Sequence, residues 1–157
     1  MKKLLIAAAV SALLAGGPAA AQMYLGAGVG AAKTDSNETS TKIYGGFNFN
    51  PTWGMEVALT DLNRFRGADI ESWSIAGTAR MPIADRLSLI GKLGATSNRP
   101  KFAGGSNHSD LLLGIGVNYA LTPKVGLRLE YEDFGKLSGT GSDTSGSNLG
   151  LSVNYTF

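Results

Sequence analysis

The stretch DLLLGIGVNY, residues 110–119, constrains the fold more than any other part of the chain. Leu111, Leu113, Ile115, Val117 and Tyr119 share one phase of a two-residue period. Asp110, Gly114, Gly116 and Asn118 share the other, with Leu112 the exception. Side chains on a β-strand alternate between two faces, so this pattern marks a strand with one apolar and one polar side. The same period recurs over residues 23–31, 41–50, 53–62, 72–81, 87–96, 125–134 and 149–157. No segment holds an apolar face at helical spacing, and 20 of the 22 glycines lie beyond residue 21, a composition hostile to helices. The expectation is an all-β chain of eight strands.

The connections alternate in length. Short ones fall at NPT (50–52), PIADR (82–86) and LTPK (121–124), each carrying a proline suited to a tight turn. Long polar ones fall at KTDSNETS, NRFRGADIE, SNRPKFAGGSNH and GKLSGTGSDTSGS. Short turns at one end and long loops at the other are the plan of an up-and-down transmembrane barrel. A soluble sandwich also alternates. Two features oppose it: the non-apolar face is rich in Gly, Ser, Asn and Thr, which suits a narrow barrel interior, and aromatics gather near strand ends. Those aromatics are Tyr24, Phe47, Phe49, Trp53, Trp73, Tyr119, Tyr131, Phe134, Tyr155 and Phe157. The fold expected is an eight-stranded antiparallel up-and-down transmembrane β-barrel.

Residues 1–21 read as a signal peptide. Lys2 and Lys3 form a basic start, residues 4–14 an apolar run too short to span a bilayer, and residues 19–21 a small-residue cleavage site. Cleavage between Ala21 and Gln22 leaves a single barrel domain, residues 22–157, with 12 basic and 12 acidic residues. That balance gives no argument for nucleic acid. The absence of cysteine excludes a disulfide framework and thiolate metal sites.

The chain closes on LSVNYTF, where Leu151, Val153, Tyr155 and Phe157 share a face. In a closed barrel the last strand pairs with the first, so no frayed polar tail is needed. This ending, with YGGFNFNPTWGMEV (44–57), NYALTPKVGLRLEY (118–131) and LGLSVNYTF (149–157), resembles the OmpA/OmpX-type eight-stranded outer-membrane barrels of Gram-negative bacteria. The resemblance covers the whole mature chain. It implies residence in the outer membrane among lipid and lipopolysaccharide, and a C-terminal assembly signal at Tyr155 and Phe157 read by the assembly machinery.

Charges on the inward phase cannot face lipid, where a midplane Arg or Lys costs about 2–4 kcal/mol. Glu56, Arg80, Lys92, Arg128, Glu130 and Glu132 are therefore expected to pair or hold water in the lumen. The resemblance implies an ionic network through Glu56, Lys92, Arg128 and Glu130. Related barrels carry a lysine on strand 4 near where this chain has Thr78, and Arg80 is the candidate replacement one layer nearer the turn.

Signals for chemistry are weak. GAGVGA (26–31) matches a dinucleotide-binding pattern, but a polar loop follows it rather than the required helix. His108 and Ser109 are adjacent, and neighbours in a strand point to opposite faces, which does not suit proton transfer between them. Asp35, Asn37 and Glu38 make no more than a solvated loop. The reading is a monomeric, non-enzymatic barrel without cofactor or metal, with a structural or adhesive role and loops free to meet an extracellular ligand. No cell-wall-binding segment is expected after Phe157. A narrow pore for ions or small solutes is the alternative, and a lipid A-modifying enzyme a more distant one.

Overall fold

A computed structural model describes residues 22–33, 37–65, 68–100, 108–137 and 144–157. Residues 1–21, and with them the cleavage site before Gln22, lie outside the described residues, as does Asp35. The eight strands are β1 (Gln22–Lys33), β2 (Asn37–Asn48), β3 (Trp53–Phe65), β4 (Ala68–Ala84), β5 (Leu87–Pro100), β6 (His108–Ala120), β7 (Val125–Leu137) and β8 (Thr144–Thr156). Each pairs antiparallel with its neighbours in sequence, and β8 pairs with β1, which closes the barrel. Among the described residues there is no helix.

The register fixes the geometry. Pairing leads from Gln22 to Asn48, Gly54, Thr78, Lys92, Gly114, Glu132 and Asn148, and returns to β1 at Ala32, ten residues above Gln22. With a rise of about 3.3 Å per residue and strands about 4.8 Å apart, that offset tilts the strands by about 40° and gives a backbone radius of about 8 Å. So narrow an interior holds side chains and little else.

Alternation then sorts the residues. Leu111, Leu113 and Ile115 on β6 and Leu149, Leu151 and Val153 on β8 are exposed on the outer wall, where lipid would meet them. Inward positions are buried and mostly polar, among them Ser40, Thr60, Ser74, Thr96, Asn118, Asn148 and Ser152. Large inward side chains lie down over glycines opposite them. Gly26 faces Tyr44 and Gly46 faces Tyr24 across the β1–β2 ladder, and a Cβ at either glycine would collide with the opposing tyrosine ring. The glycines of GAGVGA are thus needed for packing.

The strands run further than the alternation suggests. Asn37 to Ser40, Ala68 to Glu71 and Ser97 to Pro100 are strand, although their polar sequence reads as loop. Ladder hydrogen bonds continue above the apolar band, where no burial pattern is imposed on the outer face. The PIADR connection is correspondingly tighter. Pro82 to Ala84 belongs to β4, with a register shift between Pro82 and Ala84, and the turn is Asp85–Arg86. The other two turns are fixed by side chains. Asn50 Oδ1 accepts from the amides of Thr52 and Trp53 at 2.9 and 2.7 Å, and Thr122 Oγ1 accepts from Val125 at 2.9 Å.

Two aromatics move from the expected girdle to the lumen: Tyr24 and Phe134 are buried, because both fall on the inward phase. Near the turns Phe49, Trp53, Tyr119, Tyr155 and Phe157 remain exposed, and near the loops Trp73 does. Tyr155 and Phe157 meet edge to face with centroids 5.2 Å apart, and the Phe157 amide donates to Met23 O at 3.0 Å.

Candidate functional site

The middle of the lumen is a charged layer. Lys42 comes from β2, Glu56 from β3, Lys92 from β5, and Arg128, Glu130 and Glu132 from β7. All six are buried, and three positive groups face three carboxylates, a formally neutral set. Lys92 is central. Its Nζ pairs with Glu56, with Glu130 Oε1 at 2.5 Å and with Glu132 Oε1 at 3.4 Å. Lys42 Nζ donates to Glu132 Oε1 at 2.5 Å and to Glu130 Oε2 at 3.3 Å, and lies 3.9 Å from Glu56. Arg128 Nη1 donates to Glu56 Oε2 at 2.7 Å and lies 3.7 Å from Glu130.

Two tyrosines close the layer from β1 and β2. Tyr24 donates to Glu56 Oε2 at 3.0 Å, and the Tyr44 and Ser152 hydroxyls are 3.0 Å apart. The Arg128 guanidinium stacks over Tyr44 at 4.7 Å and Tyr24 at 5.3 Å from the ring centroids, so its unbonded Nε lies near aromatic faces.

Small neighbours let the long side chains reach the axis. Glu130 stands between Gly116 and Gly150 on the flanking strands, and Gly114 separates Lys92 from Glu132. At Gly116 an added Cβ would fall 2.7 Å from Glu130 Cγ. Each carboxylate has several donors and each cation several acceptors, which offsets the cost of removing them from water. Chemically this is a formally neutral network of shared ion pairs among buried side chains.

Five of the six inward charges expected from the sequence meet here: Glu56, Lys92, Arg128, Glu130 and Glu132. Arg80 stands apart. It is half-buried, opposite Ile90 and two residues closer to the turn than Thr78, and it makes none of the ion pairs of the layer. Thr78 itself faces Lys92. Lys42 is the member the sequence reading omitted, though it shares the inward phase of Tyr44 and Gly46 on β2 and was legible by that rule. His108 and Ser109 are strand residues at the loop end of β6.

The "Outer membrane protein beta-barrel domain" family matches residues 4–157. Outer membrane protein A of Shigella flexneri is 29% identical over 145 residues, covering 79% of this chain and 42% of that protein. The chain thus spans less than half the length of that relative. Among solved structures, the N-terminal barrel domain of Pseudomonas aeruginosa OprF superposes with a TM-score of 0.66 at 10% identity, covering 87% of this chain and 97% of that one. Ail, the attachment invasion locus protein of Yersinia pestis, solved with the heparin analogue sucrose octasulfate, superposes with a TM-score of 0.59 at 21% identity over 87% of this chain and 97% of its own. At such identities the structural likenesses speak for the fold, while the family match covers nearly the whole sequence. The chain belongs to the outer-membrane β-barrel family, of the OmpA type, and its place is the cell outer membrane.

Proposed function

We propose that this protein is a non-catalytic surface scaffold: a sealed monomeric barrel, set in lipid and lipopolysaccharide, that holds its extracellular loops for contact with partners outside the cell. The observation that carries this reading is the neutral charged layer across the lumen, in which Lys92 reaches carboxylates from both β3 and β7. Within a backbone radius of about 8 Å, such a layer leaves no aqueous path wide enough for solutes. A polyanionic glycan is a natural first ligand to try on the loops, because the similar Ail barrel was solved with a heparin analogue. The outward pair Tyr155 and Phe157, at the end of the strand that closes the barrel, supports a role as the signal read by the assembly machinery.

Planar-bilayer recording on the purified protein tests the sealed barrel. No resolved conductance steps are expected. Steps that disappear when Lys92 and Glu130 are both neutralised would replace this reading with the narrow pore. Binding of proteoliposomes to heparin-coated surfaces, with and without the loops shortened, tests the adhesive part; equal retention of both would remove it.

A further inference from the structure

Four inward residues on the even strands stand closer to the short turns than the charged layer does: Asn48 on β2, Arg80 on β4, Asn118 on β6 and Asn154 on β8. The ladder line through Asn48 also passes through Thr78, Gly114 and Asn148. Counting towards the turns, Arg80 lies two residues below Thr78, Asn118 four below Gly114 and Asn154 six below Asn148. With a tilt of about 40° and strands about 4.8 Å apart, the line climbs by about 3 Å per strand, and each residue descended loses about 2.5 Å. The two offsets nearly cancel. The four side chains therefore start within about 4 Å of one height and about a quarter-turn apart, as layers built from alternate strands do. They form a ring of three amides and one guanidinium at the turn-side mouth of the lumen.

Contacts agree with this placement. Asn154 Nδ2 donates to Asn118 Oδ1 at 2.7 Å, so two neighbours in the ring touch. Glycines on the odd strands make room for the others. A Cβ at Gly126, opposite Asn154, would collide with both asparagine amides. A Cβ at Gly54, between Asn48 and Thr78, would fall 2.8 Å from Asn48 Oδ1 and 2.9 Å from Thr78 Oγ1. Above the ring Thr78, Ile90 and Arg128 are buried. Below it the inward residues Ser88 and Thr156 are half-buried and Gln22 is exposed, so solvent enters from the turn side.

The ring holds a cation without a counterpart. Of the inward carboxylates among the described residues, Glu56, Glu130 and Glu132 are shared by the three cations of the layer, and Asp110 is at the loop end of β6. Half-buried Arg80 has no side-chain hydrogen bond or ion pair among the described residues, yet no nitrogen of its guanidinium is closed off from solvent. Asn118, with Oδ1 committed to Asn154, has its Nδ2 protons left to offer. A positive charge partly withdrawn from water favours an anion beside it, and the planar guanidinium fork matches two oxygens of a carboxylate or phosphate. We propose that the ring is a blind site for a small free oxyanion entering from the periplasm, the side that the short turns of such barrels face. The Arg80 fork holds two of its oxygens, the Asn118 amide donates alongside, and the charged layer above stops it from passing on.

The test uses the intact barrel in lipid nanodiscs, isotope-labelled for NMR and titrated with sodium acetate or sodium phosphate against sodium chloride at matched ionic strength. The readout is the Arg80 Nε–H signal and the Asn118 side-chain amide. Both should shift saturably with acetate, phosphate or both, while the Lys42 signals in the layer above stay in place. Arg80→Gln keeps hydrogen-bonding capacity but removes the charge and the fork, and should weaken binding by about tenfold or more. Asn118→Ser should weaken it by a smaller factor, and serves as the variant to read if Arg80→Gln does not assemble. Shifts that grow linearly without saturating, shifts that chloride produces equally, or unchanged affinity in either folded variant would overturn the proposal.

Discussion

The lumen is built from two layers that share one face and one two-residue period but are held by opposite means. In the middle layer Lys42, Lys92 and Arg128 share Glu56, Glu130 and Glu132, and polar groups fill the cross-section. Towards the loops Leu112, Phe134 and Ala76 form a buried apolar cluster. The charged layer is bonded to strands on several sides, so each member matters through its partners. The apolar layer is held by close packing, so each member matters through the volume it occupies. The same inward phase can thus be held by shared ion pairs or by apolar packing.

Substitution should separate the two layers, beginning with Glu56. It accepts from Tyr24 and Arg128 and pairs with Lys92. Glu56→Gln strands a buried positive charge and is expected to cost about 3–5 kcal/mol in urea unfolding from lipid vesicles. A cost below about 1 kcal/mol would mean that water, not the carboxylate, compensates the cations. In the apolar layer, Leu112→Ala should cost about 2–5 kcal/mol through the cavity left behind. That loss should persist unchanged in high salt, and a salt-dependent loss would place Leu112 in the electrostatic layer instead.

The outer wall supplies a control. Leu113→Arg, one residue along β6 and facing lipid, is expected to cost about 2–4 kcal/mol and to lower the folded fraction in gel-shift assays. Tolerance at that site would argue against a lipid-facing β6. The smallest effect is expected at Asn118→Ser. Asn118 Oδ1 accepts from Asn154 Nδ2 at 2.7 Å, so the substitution is not silent, and about 0.5–1.5 kcal/mol should be lost. No measurable loss would show that water replaces the amide at that end of the lumen.

Much of this was legible in the sequence. Alternation located all eight strands and their faces, because lipid outside and a cramped lumen inside impose opposite demands on successive residues. It gave five members of the charged layer for the same reason. It missed what alternation does not encode. Strand ends such as Asn37 to Ser40 project above the apolar band, where nothing selects for hydrophobic residues. Tyr24 and Phe134 look like girdle aromatics by position along the chain, but phase sends them inward, where a glycine opposite Tyr24 makes room. Arg80 shares the inward phase, yet strand tilt sets it nearer the turns than the pairs of the layer. The bulge on β7 between Asp133 and Lys136 has no marker in the sequence beyond Gly135.

The central claim is that the middle layer behaves as one coupled ionic plug rather than as separate hydrated charges. A double-mutant cycle on Lys92→Met and Glu130→Gln, read by unfolding in lipid vesicles, tests it most directly, since Lys92 Nζ and Glu130 Oε1 are 2.5 Å apart. The account predicts that each single substitution costs more than the pair together, with a coupling energy of about 1 kcal/mol or more, as expected when one partner of a buried pair is left alone. A coupling within about 0.3 kcal/mol of zero, with the two losses simply adding, would contradict it.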